Sequence, residues 1–345
     1  MSNNTVTNPP EIIYPLNGFD IGFLVMCGLT LITNVVGLII LISGRQRLKG
    51  PSYNILISSY VSCILVAIWY EIFDVLVQKQ VPNVYIRGLI CNFGGSGSMA
   101  LMANINLHLC LISAERYVFV MYPFNYHKIV NRLNVIIALV AVWLLPIFVM
   151  MGSFFYREIS LTQCTFRIVQ PRQIVINDAI CLTITLGLLY FIPLFTIVTV
   201  YVRIFVLIQS HGSRGQQTES KDRARLAKNS KAIRQMVILI GVFFICWTPF
   251  AICSLCFLWI SAYINQSLFL AQYNMAWAVF VLRYLAYCYP LFHPVLYCYF
   301  NAHIKLEALR IYYKLIGKEE AYRRLLHTMH GTTSFYMERK STTTM

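Results

Sequence analysis

Apolar residues fill seven long stretches of the chain, and short polar segments separate them. The stretches are 21–44, 52–70, 88–114, 133–156, 179–202, 235–264 and 268–300; six lack a charged residue and the seventh carries only Arg283. A helix of about 20 residues crosses the roughly 30 Å hydrocarbon core of a bilayer. The pattern therefore predicts an all-α membrane protein, built as a bundle of seven transmembrane helices.

The segment after the seventh stretch has a different, amphipathic pattern. Over 301–316, apolar residues recur at helical spacing beside Lys305, Arg310 and Lys314. One apolar and one basic face are typical of a short helix that lies in a membrane interface, in contact with lipids. The predicted organisation is an extracellular N-terminus at 1–20, the seven-helix domain at 21–300, an amphipathic eighth helix at 301–316 and a cytoplasmic tail at 317–345.

The excess of positive charge lies on one side of the predicted membrane. The side of the C-terminus holds 22 Lys and Arg residues against 7 Asp and Glu, whereas the other side holds 6 of each kind. Because basic loops stay in the cytoplasm, we expect the N-terminus outside the cell and the protein in the plasma membrane. A pI of 9.4 would suggest nucleic-acid binding in a soluble protein, but not when the charge flanks apolar spans, so no nucleic-acid partner is expected.

Two cysteines and two asparagines carry predictions for the outer side. Nine of the 11 cysteines lie deeper within the apolar stretches, whereas Cys91, at the outer end of the third stretch, and Cys164 face the oxidising compartment. A disulfide between these two is favoured, and two unpaired thiols are the alternative. The sequons at Asn3 and Asn265 fall on the same side and predict glycosylation.

Charge and helix-bending residues occur at defined places in the spans. Glu115, Arg116 and Tyr117 follow the third stretch, where the guanidinium can reach water or a cytosolic partner. In the sixth stretch Trp247 lies two residues before Pro249. A proline bends a helix, and a bulky ring on the bend makes an element with two positions. These residues are the first candidates for a signalling role.

In order and spacing, such residues resemble those of the rhodopsin-like (class A) G-protein-coupled receptors, and the resemblance covers all seven spans. The matching residues are Asn34, Asn54, Cys91 with Cys164, Glu115-Arg116-Tyr117 with Pro123, Trp143, Pro193 with Tyr201, Phe243 with Trp247 and Pro249, and Pro294 with Tyr297. Any one of them is weak evidence, because Trp, Pro and Tyr are common in membrane helices. The ordered set is strong evidence.

The resemblance implies a receptor that passes the signal of an unidentified extracellular ligand to a heterotrimeric G protein. Arrestin is a further candidate partner, and no cofactor is expected. Ligand binding would shift the population between two packings of the helices. The residues implied in G-protein coupling and activation are Glu115, Arg116, Tyr117, Tyr201, Tyr297 and Pro294. The implied toggle and relay residues are Trp247, Phe243, Pro249, Pro193 and Asn106, the last of which replaces the family's usual apolar residue.

Two departures from the family concern ions. The aspartate, serine and asparagine that hold a sodium ion in relatives are matched by Ile64, Ile105 and His293. Without the carboxylate we expect no sodium site. In many relatives the span-three arginine pairs with an acidic residue at the base of span six, and Asn229 takes the place of that residue here. Since Glu115 is then the nearest carboxylate, we expect a smaller energy gap to the active state and some signalling without ligand.

The ligand pocket that the resemblance implies lies between the outer halves of the spans. Relatives that bind amines use a span-three aspartate, matched here by Ser98, and opsins use a span-seven lysine, matched by Tyr287. An amine held in that way and a retinal Schiff base are therefore not expected. Met99 and Met102, with Trp247, Phe250 and Tyr287, would line an apolar cavity or simply pack the helices.

Arg283 is the sharpest feature of the outer half. A guanidinium in a membrane helix is costly unless it has a partner. Glu71 and Asp74 in span two are candidates for an internal ion pair with it. Alternatively, Arg283 anchors an acidic group of the ligand.

Other classes of protein fit the sequence less well. A transporter or channel needs several acids or rings of charge within the membrane. We find no enzyme motif, and His108 is interpreted as a hydrogen-bonded core histidine rather than a metal ligand. A receptor-like protein without G-protein coupling stays open because of Ile64 and His293.

Overall fold

The computed structural model describes residues 18–44, 51–70, 84–152, 172–213, 220–263 and 269–326. Within these ranges, the side chains at several helix ends, such as 84–96 and 210–236, are not described. Everything below refers to the described residues.

Seven long helices follow each other along the chain, and a shorter eighth comes after them. Their bounds are α1 Gly18–Gly44, α2 Pro51–Tyr70, α3 Val84–Met121, α4 Arg132–Gly152, α6 Ser220–Tyr263, α7 Phe269–Phe300 and α8 Ala302–Leu315. The fifth, α5, has three consecutive pieces: Arg172–Leu186, a π-helical turn Gly187–Phe191 and Ile192–Ser213. The fold is the seven-helix bundle that the sequence predicts, with the short eighth helix.

Six of the long helices are long and apolar enough to cross a membrane. The apolar part of α4, Arg132–Phe148, is shorter. Leucine, isoleucine, valine and phenylalanine side chains on the outside of the bundle stay exposed, such as Phe195 at 75% and Ile245 at 65%. In a lipid environment such side chains are solvated by acyl chains, so their exposure fits a multipass membrane protein.

The helices extend beyond the apolar stretches that predict them. The stretch 88–114 lies inside α3, which continues to Met121, and the stretch 235–264 leaves out the first fifteen residues of α6. Hydropathy marks the part of a helix that lies in lipid, but backbone hydrogen bonding continues into polar sequence. Glu115 and Arg116 therefore lie on the last turns of a rigid helix and not in a loop.

Helix α3 lies at the centre of the bundle, where it contacts α2, α4, α5 and α6. The bundle is closed by α7, which packs against both α1 and α6. Two glycines allow close approach of neighbouring helices: a Cβ on Gly37 of α1 would overlap the ring of Tyr60, and one on Gly97 of α3 would overlap the indole of Trp69. Small residues at such contacts let membrane helices approach each other.

A chain of hydrogen bonds joins α2, α3 and α4. The indole of Trp143 donates to Ser58 Oγ at 2.9 Å, and Ser58 Oγ lies 2.8 Å from Nε2 of His108. Nδ1 of His108 lies 2.9 Å from the carbonyl of Asn104. A carbonyl only accepts, so Nδ1 carries the proton and Nε2 accepts from Ser58. The interpretation of His108 as a hydrogen-bonded core histidine is confirmed.

Helix α8 begins at a clear cap and is followed by a reversal of the chain. Asn301 is the N-cap, and its side-chain oxygen accepts from the backbone N–H groups of His303 and Ile304. Ile304 is fully buried against the bundle, whereas Leu315 is 80% exposed. The helix ends at Leu315, and Gly317, two residues later, has a φ of +68°, in the left-handed region that favours glycine.

Candidate functional site

A carboxylate with three partners lies at the end of the bundle near α8, called here the α8 end. Glu115 Oε1 accepts from Ser52 Oγ at 2.8 Å and from the Tyr126 hydroxyl at 2.6 Å. Its Oε2 lies 3.3 Å from Nε of Arg116. The side chain of Glu115 is 5% exposed and that of Arg116 is 30% exposed. Glu115 is therefore held in place, while the guanidinium beside it reaches solvent.

Tyr126 lies on a one-turn helix, Tyr126–Ile129, between α3 and α4. Burial, together with the hydrogen bond to Glu115, raises the pKa of its hydroxyl to about 12. The hydroxyl is therefore protonated at neutral pH, and it donates to the carboxylate. Its oxygen also lies 2.9 Å from Ser52 Oγ, so both donors to Glu115 contact each other.

Two tyrosines surround the guanidinium from other helices. Tyr201 of α5 and Tyr297 of α7 are 8% and 4% exposed. Both lie within electrostatic range of Arg116, and Tyr201 faces Ser113 on α3. The structure thus brings together residues that are 85 and 181 positions from Arg116 in the sequence. Tyr117 packs edge-on against Tyr122 instead, at 6.1 Å between ring centroids.

A column of aromatic rings runs from the middle of the bundle to these tyrosines. Phe243 lies 6.3 Å from Trp247 and 4.9 Å from Tyr289, measured between ring centroids. The column continues from Tyr289 to His293 at 5.8 Å and from His293 to Tyr297 at 4.9 Å. A shift of the Trp247 ring would therefore be passed through direct contacts to the α8 end.

Asn106 of α3 contacts the backbone of α5 rather than an apolar side chain. Its Nδ2 donates to the carbonyl of Leu189 at 2.7 Å, within the π-helical turn. Next to it, the hydroxyl of Tyr190 lies 2.5 Å from Thr248 Oγ1, one residue before Pro249. The ring of Tyr190 lies 6.0 Å from that of Phe243, so Asn106 contacts α5 next to the aromatic column, and Pro193 lies four residues after the acceptor Leu189.

Two of the three residues that match the family's sodium ligands, Ile105 and His293, are fully buried. His293 is 0% exposed, and its Nε2 lies 3.2 Å from Ser59 Oγ. Ile105 is also 0% exposed. The third, Ile64 of α2, is partly exposed, whereas its neighbour Cys63 is fully buried. Neither side chain is a carboxylate, so the expectation that there is no sodium site is the same whichever of the two takes the place of the family's aspartate.

Arg283 lies between α1 and α7 in a group of aromatic rings. Its guanidinium carbon lies 5.6 Å from the ring centroids of both Phe23 and Phe280. Tyr284, on the same side of the bundle, donates to the carbonyl of Phe19 at 2.9 Å. Cation–π contacts of this kind stabilise a guanidinium where water is scarce. Phe23 and Phe280 carry no sequence signal that would distinguish them from other apolar residues.

The other predicted pocket residues are buried on three helices. Ser98 and Met102 of α3 are 8% and 2% exposed, Tyr287 of α7 is 5% exposed, and Met99 is partly buried. The ring of Tyr287 lies 5.7 Å from that of Phe23. Trp247 and Phe250 of α6 pack edge to face at 5.5 Å.

Several predicted site residues lie outside what the structure describes. They are the side chain of Cys91, and Cys164, Glu71, Asp74, Asn3, Asn265 and the side chain of Asn229. The disulfide, the glycosylation sites and the α2 partners of Arg283 therefore stay predictions.

Sequence reasoning missed Ser52 and Tyr126, the two donors to Glu115. Ser52 lies 63 residues before its partner, and Tyr126 follows a break in the helical pattern. No periodicity links either residue to α3. It also missed Tyr190 and Thr248, because hydroxyls inside an apolar stretch give no indication of which helix they face.

The comparisons with known proteins agree with this geometry. The family model described as 7 transmembrane receptor (rhodopsin family) matches residues 33–297. Trace amine-associated receptor 4 of Mus musculus is 25% identical over 89% of this chain and 89% of its own. The 5-hydroxytryptamine receptor 4 of Homo sapiens is 22% identical, over 86% of this chain and 79% of its own. Octopamine receptor beta-1R of Drosophila melanogaster is 24% identical, over 82% and 58%.

Proposed function

The chain belongs to the rhodopsin family of seven-transmembrane receptors and is a G-protein-coupled receptor; from this premise we propose how it couples. Arg116, Tyr201 and Tyr297 form the floor of the cavity that receives the G protein. The observation that supports this most is the position of Arg116, which is partly exposed at the α8 end while Glu115 is held by three partners. Arrestin would compete for the same cavity.

The proposed orientation places the α8 end in the cytoplasm of the plasma membrane. Support comes from the basic loops and tail on that side. The outer side would then hold the Cys91–Cys164 disulfide and the glycans at Asn3 and Asn265. α8 would rest on the inner leaflet through its exposed Tyr312 and Leu315.

The signal would travel along the aromatic column. A ligand beside Trp247 moves this ring, and the motion is passed through Phe243, Tyr289 and His293 to Tyr297. Pro249 and Pro294 support this route, because a proline removes one backbone hydrogen bond and lets a helix bend at that point. A ligand can shift the equilibrium between two packings of the helices only by the difference between its binding free energies for them.

The ligand is proposed to be acidic or neutral, although the relatives are named for trace amines, octopamine and 5-hydroxytryptamine. Ser98 and Met102 supply no negative charge at the α3 side of the pocket, and a buried ammonium without a partner is costly. Arg283, Tyr287 and Phe23 would contact an acidic group, with or without Glu71 and Asp74 as further neighbours of the guanidinium.

A ligand screen with a generic G-protein readout tests this proposal. Carboxylates, lipids, peptides and primary amines are compared on cells that express the protein, with Arg116→Ala as the inactive reference. We expect responses to acidic or neutral compounds, and Arg283→Ala to reduce those to acidic ones at unchanged surface expression. A response to primary amines that survives Arg283→Ala would contradict the proposed ligand class.

Weakening the hold on Glu115 is expected to raise signalling without ligand. Tyr126→Phe removes a donor at 2.6 Å from Glu115, and Ser52→Ala removes one at 2.8 Å. Hydrogen bonds to charged groups are worth about 1.5–3 kcal/mol, so a rise of about threefold or more is expected for each variant. The measurement is basal G-protein activation per receptor at the cell surface.

The matched control for these variants is Tyr122→Phe. Tyr122 is exposed, and its ring packs on Tyr117. Tyr122→Phe removes a tyrosine hydroxyl four residues before Tyr126, and it should leave basal signalling unchanged. Equal basal signalling in Tyr126→Phe, Tyr122→Phe and the unaltered protein would contradict the role given to Glu115.

A further inference from the structure

Three buried asparagines contact neighbouring helices at the same kind of place, next to a proline. Asn34 donates to the carbonyl of Pro290 at 2.8 Å, Asn104 to that of Val142 at 2.9 Å, and Asn106 to that of Leu189 at 2.7 Å. Each of these carbonyls lies four residues before a proline. The prolines are Pro294 in α7, Pro146 in α4 and Pro193 in α5.

The physical reason is the missing N–H of proline. In an α-helix the carbonyl of residue i accepts from the N–H of residue i+4, and proline has none to donate. An unsatisfied carbonyl in the membrane is costly, so a side chain of a neighbouring helix supplies the donor. Each asparagine therefore ties its own helix to the helix that holds the proline.

The bond of Asn106 differs from the other two in its surroundings. Its acceptor lies in the π-helical turn Gly187–Phe191, and the carbonyl of Tyr190 lies 3.4 Å from the same Nδ2. Tyr190 packs against Trp247 at 6.1 Å, and its hydroxyl is bonded to Thr248. The tie from α3 to α5 thus continues to α6 beside Pro249.

We infer that Asn106, with Tyr190 and Thr248, is a positioning element that holds α5 and α6 against α3 in the resting packing. It acts in the middle of the bundle, in a chain that has no Asp or Glu between Asp222 and Glu307. The two bonds, Asn106 to Leu189 and Tyr190 to Thr248, join three helices within one turn of the aromatic column. Breaking either bond releases α6 toward the active packing.

This inference rests on the proposed G-protein coupling, and its test separates the two. Asn106→Leu keeps the volume and removes the donor, whereas Asn104→Leu removes a matched donor two residues away on the same helix. Asn104 is 2% exposed and Asn106 is 1% exposed, but Asn104 ties α3 to α4. Thr248→Val and its control Thr185→Val, whose hydroxyl bonds only its own helix, test the second bond.

Loss of one such bond is expected to raise basal G-protein activation roughly three- to tenfold per surface receptor, in Asn106→Leu and in Thr248→Val. Asn104→Leu and Thr185→Val should stay at the basal level of the unaltered protein. If Asn106→Leu does not reach the surface, Thr248→Val alone decides. Unchanged basal activity in Thr248→Val, or an equal rise in Asn104→Leu, would overturn the inference.

Hydrogen exchange of the purified full-length protein gives a readout that needs no G protein. Asn106→Leu should speed amide exchange over 186–194, and Asn104→Leu should speed it over 139–146. Faster exchange over 186–194 without any G-protein signal, even from the unaltered protein, would count against the proposed coupling and leave the tie in place. Unchanged exchange over 186–194 in Asn106→Leu would overturn the tie itself.

Discussion

Replacing Arg116 by alanine is expected to lower both basal and ligand-stimulated G-protein activation about tenfold or more, because hydrogen bonds to a charged group are worth about 1.5–3 kcal/mol. The loss should not come from unfolding. The guanidinium is 30% exposed, and its described ion pair with Glu115 is adjacent in sequence and partly solvated. The measurement is G-protein dissociation in living cells, normalised to receptor at the surface.

The control for this variant is Arg203→Ala. Arg203 of α5 is exposed near the same end of the bundle, two residues after Tyr201. Arg203→Ala removes one positive charge from the same end of the bundle as Arg116→Ala does, and this variant should retain most of the signal. If Arg116→Ala signals as well as Arg203→Ala does, Arg116 is not the contact for the G protein.

The second large effect is expected from Gly37→Ala, which should reduce the amount of folded protein sharply. The added Cβ would overlap the ring of Tyr60 and lie 3.3 Å from Cβ of Pro294. Tyr60 is 1% exposed and its ring lies 5.1 Å from that of His293, so we expect an overpacking cost of about 1–3 kcal/mol to exceed the roughly 1 kcal/mol that alanine gains over glycine in a helix. The measurement is thermal unfolding of the purified protein in detergent.

Gly28→Ala is the matched change in the same helix. A Cβ on Gly28 meets nothing within 4 Å, so this variant should be as stable as the unaltered protein or slightly more so. A melting temperature of Gly37→Ala equal to that of Gly28→Ala would mean that α1, α2 and α7 do not meet as closely as described.

The bundle could be predicted from hydropathy, because lipid imposes a length and an apolar composition on every spanning helix. The same argument cannot find the helix ends. α6 begins at Ser220, fifteen residues before its apolar stretch, since hydrogen bonding within a helix does not depend on side-chain polarity. Hydropathy also gives no indication of the π-helical turn at Gly187–Phe191, because one extra residue in a uniformly apolar stretch leaves the hydropathy pattern unchanged.

The candidate site could be predicted where a residue is marked by its own chemistry, as Arg116 and Trp247 are. It could not be predicted where a residue acts through a distant backbone. The resemblance marks Asn106 only as a relay residue that replaces the family's usual apolar one. The structure gives it a defined partner, the carbonyl of Leu189, 83 residues away. The proline that frees this carbonyl is visible in the sequence, but the helix that faces it is not.

The partners of the Arg283 guanidinium could be predicted only in part. The sequence indicates that its charge needs partners, and acidic side chains are the first candidates. The described contacts include the faces of Phe23 and Phe280, which no charge pattern predicts, whereas Glu71 and Asp74 lie outside the described residues. The experiment with Arg283→Ala therefore distinguishes an internal ion pair from a ligand anchor.

The orientation of the bundle is the claim on which the account depends, and epitope mapping on intact cells tests it most directly. Tags are placed before Met1 and after Met345, and antibody binding is compared with and without permeabilisation. The account predicts that the N-terminal tag is labelled on intact cells and that the C-terminal tag is labelled only after permeabilisation. Labelling of the C-terminal tag on intact cells would place Arg116 outside the cell and contradict the proposed coupling.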